Sequence, residues 1–230
     1  MQVTGAPQVV RWHAMADAAT LRSDARRRVL IAASKAIATR GAFSIVLAGG
    51  NTPRALYESL REAATDWSRW TIWFGDERCV PADDPQRNSA MARAAWLDHV
   101  AIPATRIHDI PGELGAAGAA NLYSEALQNV DLFDVVLLGL GEDGHTASLF
   151  PGHDWGTGEV ASDVLAVTDA PKPPPQRVSM SAARLSRARD VLFLVEGASK
   201  RDALAAWRAH ADIPAASICP PGGVDVLVSD

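Results

Sequence analysis

His145 stands in the run Gly139-Leu140-Gly141-Glu142-Asp143-Gly144-His145-Thr146-Ala147-Ser148-Leu149-Phe150-Pro151-Gly152. A lone histidine is as a rule structural. This one follows an apolar stretch and sits after three glycines and two carboxylates, and an ordinary imidazole pKa of about 6.5 suits general-base work near neutrality. Asp143, two residues earlier, is placed to orient the ring or a water beside it. The other histidines, His13, His99, His108, His153 and His210, lie in no such context and read as surface or packing residues.

Two more polar loops follow apolar stretches. In Leu47-Ala48-Gly49-Gly50-Asn51-Thr52-Pro53, Gly49 and Gly50 let the backbone approach an anion, and a helix opening there aims its free N–H groups and positive dipole end at it. Asn51 and Thr52 add side-chain donors. The same stretch also reads as a tight turn that caps a helix. In Gly75-Asp76-Glu77-Arg78-Cys79-Val80-Pro81, two carboxylates can orient sugar hydroxyls while Arg78 clamps a phosphate. A solvated turn with a local ion pair is the alternative there. Cys79 reads equally well as a small buried apolar residue. Arg177 and Lys200 are further cations available to a doubly charged phosphate, although such residues are more often solvated charges.

The first loop is neither a Walker A loop nor the Gly-x-Gly-x-x-Gly fingerprint, so no nucleotide cofactor is expected. No His or Cys cluster has ligand spacing, which disfavours a zinc hydrolase, and no metal is expected.

These loops must be positioned by the elements between them. Apolar runs at Phe43 to Leu47, Thr71 to Phe74, Phe133 to Leu138, Val191 to Val195 and Val224 to Val228 read as strands, several buried on both faces. They alternate with helical patterns, the signature of an α/β protein on a mostly parallel sheet. Ala18 to Arg40 predicts a helix stopped by Gly41. A second helix is expected at Pro53 with Thr52 as its cap. Others are expected at Ser89 to Trp96, Gly118 to Leu127, Ala182 to Ala188 and Lys200 to Ala209. Pro171, Pro173, Pro174 and Pro175 mark an extended surface connection. Since the same alternation resumes after it, it is not read as an interdomain linker, and residues 1–230 are expected to form one domain.

The 230 residues are 48% hydrophobic and 21% charged, which excludes disorder or a collagen-like fibre. With 22 Lys plus Arg against 27 Asp plus Glu the net charge is −5, which lacks the electrostatic footprint of a nucleic-acid binder. Cys79 and Cys219 are too few for a disulfide framework and read as reduced thiols. Met1 to Met15 carries no basic and apolar leader pattern, and no run reaches the ~20 apolar residues of a membrane span, the richest being Phe133 to Leu140. A cytoplasmic monomer with no membrane partner is expected.

Taken together, several blocks resemble the glucosamine-6-phosphate isomerase/6-phosphogluconolactonase family, on its lactonase side. They are Leu47 to Pro53, Trp73 to Pro81 with Asn88 after it, Ile107 to Glu113, Phe133 to Gly152, Arg177 to Ser181 and Val191 to Lys200. The resemblance implies a modified doubly wound, Rossmann-like sheet with helices on both faces. It also implies metal-free hydrolysis of 6-phospho-D-glucono-1,5-lactone in the oxidative pentose phosphate pathway. It places a general base on His145, phosphate contacts on Gly50, Asn51, Thr52, Arg78, Arg177 and Lys200, and Asp76 and Asp143 near the sugar. Two positions depart from the family pattern, which more often has serine at Asn51 and frequently proline at Glu142. Glu142 adds charge that is expected to raise the pKa of the base. The rival readings are a sugar-phosphate deaminase or isomerase, and a noncatalytic phosphosugar sensor.

Overall fold

The computed structural model describes residues 8–158 and 160–230. The first seven residues of the Met1 to Met15 stretch therefore lie outside the described residues. Chain order runs β1 (Val10–Ala14), α1 (Ala18–Arg40), β2 (Phe43–Leu47), α2 (Asn51–Leu60), β3 (Trp70–Phe74), β4 (Asp76–Arg78), α3 (Asn88–Ala95), β5 (Ile107–His108), α4 (Gly115–Leu127), β6 (Phe133–Leu138), β7 (Val164–Val167), β8 (Arg177–Met180), α5 (Ala182–Ser186), β9 (Ala188–Glu196), α6 (Arg201–Arg208) and β10 (Val224–Ser229). Seven strands make one sheet in the order β1-β10-β9-β6-β2-β3-β5, every ladder parallel. A small antiparallel sheet, β4-β8-β7, sits apart from it.

The apolar runs explain the large sheet. All six residues of β6 are buried, which requires cover on both faces, and each large apolar side chain so buried stabilises the fold by roughly 1.5–3 kcal/mol. Its one charged residue, Asp134, is paired with Arg40 and accepts from the Ser44 amide at 2.9 Å. Helix α1 buries Leu21, Ala25, Val29, Ala33 and Ala36, one stripe at helical spacing. Asp17 caps it by accepting from Thr20 N at 2.7 Å, and Gly41 ends it at φ 77°.

The sheet order reverses between β2 and β6. From β2 the chain steps outward through β3 to β5, then returns to β6 on the other side of β2. The crevice beyond the carboxyl ends at such a reversal is the usual ligand position in this architecture. Two buried tyrosines pin the strand ends there. The Tyr57 hydroxyl accepts from Ala48 N at 2.9 Å and donates to Ala48 O at 2.8 Å, just past β2. The Tyr123 hydroxyl does the same at the end of β3, accepting from Phe74 N at 2.9 Å and donating to Phe74 O at 3.1 Å. Burial pushes both phenols well above their usual range, so each keeps its proton.

Several boundaries differ from expectation. Helix α2 opens at Asn51, not Pro53, because Gly50 at φ 105° turns the chain and serves as the cap position without a side-chain bond. Thr52 is therefore inside the first turn, and Pro53 still occupies a position that needs no donor. Strands β1, β4, β5, β7 and β8 go beyond the runs read from sequence, and β9 is extended at both ends to Ala188–Glu196. Ala198–Lys200 is a single 3₁₀ turn, so α6 begins at Arg201 and not at Lys200.

Candidate active site

A cavity of about 290 Å³ opens at the reversal. It is lined by Ala48, Gly49 and Gly50 after β2 and by Gly139, Leu140 and Gly141 after β6. Asp76, Arg78 and Arg177 enter from the small sheet, Asn88 from the start of α3, His145, Thr146, Ala147 and Phe150 from the loop after β6, and Lys172 and Lys200 from two further connections. Four cations thus face one carboxylate, the electrostatics of an anion site.

The loop after β6 carries His145. Gly141 N donates to His145 O at 2.7 Å and Gly144 N to Gly141 O at 3.1 Å, a tight turn that Gly144 allows at φ 86°. The imidazole lies directly on Gly141, where a Cβ would fall 1.9 Å from Nδ1. Nδ1 is 2.5 Å from Asp143 Oδ1. An ionised carboxylate only accepts, so Nδ1 carries the proton and Nε2 is the basic nitrogen. Burial, the dominant influence, pushes the imidazole below its ordinary pKa. Asp143 opposes that shift and Lys172 adds to it. Burial raises the Asp143 carboxyl, yet its bonds to His145 hold it below the usual range. The effect expected of Glu142 is not found: it is exposed, and burial of the ring moves His145 the other way.

Strand β4 alternates its side chains. Asp76 and Arg78 face the cavity, while Glu77 faces inward, completely buried. Glu77 accepts from Asn88 N at 2.7 Å, from Ser89 N at 2.8 Å and from Ser89 Oγ at 2.7 Å, so it caps α3 and does not orient sugar hydroxyls. Arg78 and Arg177 are cross-strand partners. Arg177 is 7% exposed, and its guanidinium donates to the carbonyls of Lys172, Pro173 and Pro174 at 3.1–3.2 Å. The proline-rich surface connection is thus tied to the cavity wall, which brings Lys172 to the site. His145 and Arg177 flank one phenyl ring, that of Phe150, with the imidazole centroid 5.0 Å and the guanidinium carbon 5.7 Å from its centre. Among the described residues no three His, Cys, Asp or Glu side chains gather as a metal-binding group.

Residues 16–227 match the family described as glucosamine-6-phosphate isomerases/6-phosphogluconolactonase. The chain belongs to that family. A 6-phosphogluconolactonase of Mycobacterium tuberculosis is 40% identical over 219 residues, covering 87% of each chain. One of Synechocystis is 41% identical over 180 residues, covering 74% of this chain and 73% of the other. Among solved structures, the 6-phosphogluconolactonase of Thermotoga maritima superposes with a TM-score of 0.88 at 26% identity, covering 96% of this chain and all of that one. That of Trypanosoma brucei gives 0.82 at 28% identity, covering 96% and 95%.

In this family member the residues singled out from sequence fall into two groups. Gly49, Gly50, Asp76, Arg78, His145, Arg177 and Lys200 line the cavity. Asp143 touches it only through His145, and Asn51 and Thr52 stand in the first turn of α2 beside it without lining it. Lys172, Phe150 and Ser148 were not singled out. For Lys172 the only local signal was its place among prolines, and its approach depends on the distant grip of Arg177.

Proposed function

We propose that this chain hydrolyses 6-phospho-D-glucono-1,5-lactone to 6-phospho-D-gluconate in the oxidative pentose phosphate pathway, by general-base activation of water without a metal. One observation carries the reading: a His145 imidazole buttressed by Asp143 shares a cavity with Arg78 and Arg177. Arg78 lines the cavity, and its Nε has no hydrogen-bond partner within the protein. The phosphate occupies the cationic wall, helped by the Gly49–Gly50 backbone, Lys200 and the donors at Asn51 and Thr52. This holds the lactone C1 against the base and lowers the entropic part of the barrier.

His145 Nε2 takes a proton from water as the water oxygen bonds to C1. The tetrahedral intermediate collapses, the bond from C1 to the ring oxygen breaks, and the imidazolium returns its proton to that oxygen. Asp143 steadies the imidazolium in between. A lactone is already an activated ester, so neither a covalent nucleophile nor a metal is needed. In this reading residues 1–230 form one catalytic domain that acts as a cytoplasmic monomer on a small molecule rather than on nucleic acid or membrane. No helix among the described residues is long and apolar enough to cross a membrane.

A lactone assay at controlled pH, with and without protein, tests it. Hydrolysis well above the spontaneous rate, unchanged after dialysis against a chelator, is expected. Binding of 6-phosphogluconate without turnover, or ammonia release from glucosamine 6-phosphate, would replace it with one of the rival readings.

A further inference from the structure

Ser148 is buried beneath the cavity and does not line it. Its Oγ donates to Asp76 Oδ2 at 2.6 Å. Asn88 Nδ2 donates to Asp76 Oδ1 at 3.1 Å and to the Asp76 carbonyl at 2.9 Å. No arginine or lysine among the described residues forms an ion pair with Asp76, although Arg177 feels its charge. A carboxylate has about four lone-pair sites. Two neutral donors therefore fix its orientation and leave acceptor capacity toward the cavity.

The chain is strained to achieve this. Ala147 has φ 48°, a left-handed conformation that non-glycine residues rarely adopt. That turn carries Ser148 from the cavity surface into the layer below, where its amide donates to Ser179 Oγ at 3.3 Å. Ser179 is the cross-strand partner of Asp76. Asn88 is wedged equally tightly, since a Cβ on Gly49 would fall 2.1 Å from its Oδ1.

We propose that Ser148, with Asn88, is a positioning residue that presents Asp76 as a fixed acceptor for substrate hydroxyls, and so sets a preference for a fully hydroxylated sugar lactone over a deoxy one. This rests on the function proposed above. A site built around an acceptor for a hydroxyl rejects an analogue lacking that hydroxyl because the acceptor is left unpaired.

The test compares kcat/KM for 6-phospho-D-glucono-1,5-lactone with its 2-, 3- and 4-deoxy analogues. The wild-type chain is expected to prefer the parent over at least one analogue by on the order of 10- to 100-fold. Ser148→Ala removes one oxygen and adds nothing. It is expected to lose about tenfold on the parent and little on that analogue, so the ratio collapses. Ser148→Cys keeps a weak donor in similar space, is expected to fall between, and serves in place of Ser148→Ala if that variant does not fold. Equal losses on parent and analogues, or no wild-type preference, overturn the proposal. Equilibrium binding of 6-phosphogluconate and its deoxy analogues reads the same ratio without turnover. An inactive wild-type chain thus overturns the proposed function, while the binding ratio still decides the role of Ser148.

Discussion

Arg78 and Arg177 stand directly opposite each other in the β4–β8 ladder, both on the wall of one cavity. Like charges so placed destabilise a sheet by a few tenths to about 1 kcal/mol, and an anion between them reverses the sign. Inorganic phosphate is therefore expected to raise Tm, with a stabilisation of about 2.7 kcal/mol at a hundred times its Kd. Arg78→Gln should remove most of that shift and raise KM at least ~10-fold with little change in kcat. Thermal unfolding with and without phosphate, beside steady-state kinetics, checks both.

His145→Ala should lower kcat on the order of 10²- to 10⁴-fold while keeping the phosphate-induced rise in Tm, because the cationic wall is untouched. Rates corrected for spontaneous hydrolysis measure the first, and melting curves the second. Turnover at the wild-type rate would remove the imidazole from the mechanism.

Burial holds His145 below its ordinary pKa against the pull of Asp143, with Lys172 adding to the lowering. In the proposed mechanism the neutral ring is the base, so kcat/KM should rise with pH through a limb centred below about 6.5. Asp143→Asn removes the group that favours imidazolium, so the limb moves to lower pH as kcat falls. Lys172→Gln removes a positive neighbour and moves it up. Profiles of kcat/KM against pH for the three proteins decide, and opposite displacements would contradict the assignment.

Gly141→Ala places a methyl group where the His145 ring lies. The ring must shift and its bond to Asp143 must break, so kcat should fall on the order of 10²-fold with the phosphate-induced Tm rise preserved. Steady-state kinetics and a phosphate titration of Tm separate this from general unfolding.

Glu77→Gln keeps one acceptor oxygen and turns the other into a donor, so either the Asn88 amide or the amide and hydroxyl of Ser89 lose their acceptor. Buried Glu77 also lies 3.5 Å from the Arg87 guanidinium. Breaking such a pair on one side costs about 3–5 kcal/mol, to be read from denaturant unfolding midpoints.

Five of the seven strands of the large sheet were legible because they are apolar runs; β1, which carries Arg11 and His13, and the two-residue β5 were not. β2 and β6 have the bounds read from sequence, and α1 with Gly41 does too, since one stripe of small and aliphatic residues repeats over 23 positions. The small sheet was not legible. β4 and β8 are three and four residues with charges in them, and they exist because they pair across about a hundred intervening residues. The start of α2 departs from the threonine-cap pattern because the backbone turn at Gly50 decides it. In the site, His145 and Asp143 were visible as neighbours in one loop. The inward turn of Glu77 was within reach of period-two alternation but needed β4 to be recognised as a strand first. Ser148 beneath Asp76 had no local signal, because the contact spans 72 positions.

The alternation along β4 makes this stretch tolerant of one kind of change and intolerant of another. Replacing a single side chain between Phe74 and Cys79 perturbs one role at a time. Gaining or losing one codon there would turn the strand over, sending Glu77 outward and driving Asp76 and Arg78 into the space where it now caps a helix. Insertions in natural variants, and in libraries built on this scaffold, should therefore be sought in the outer connections and never across these few positions.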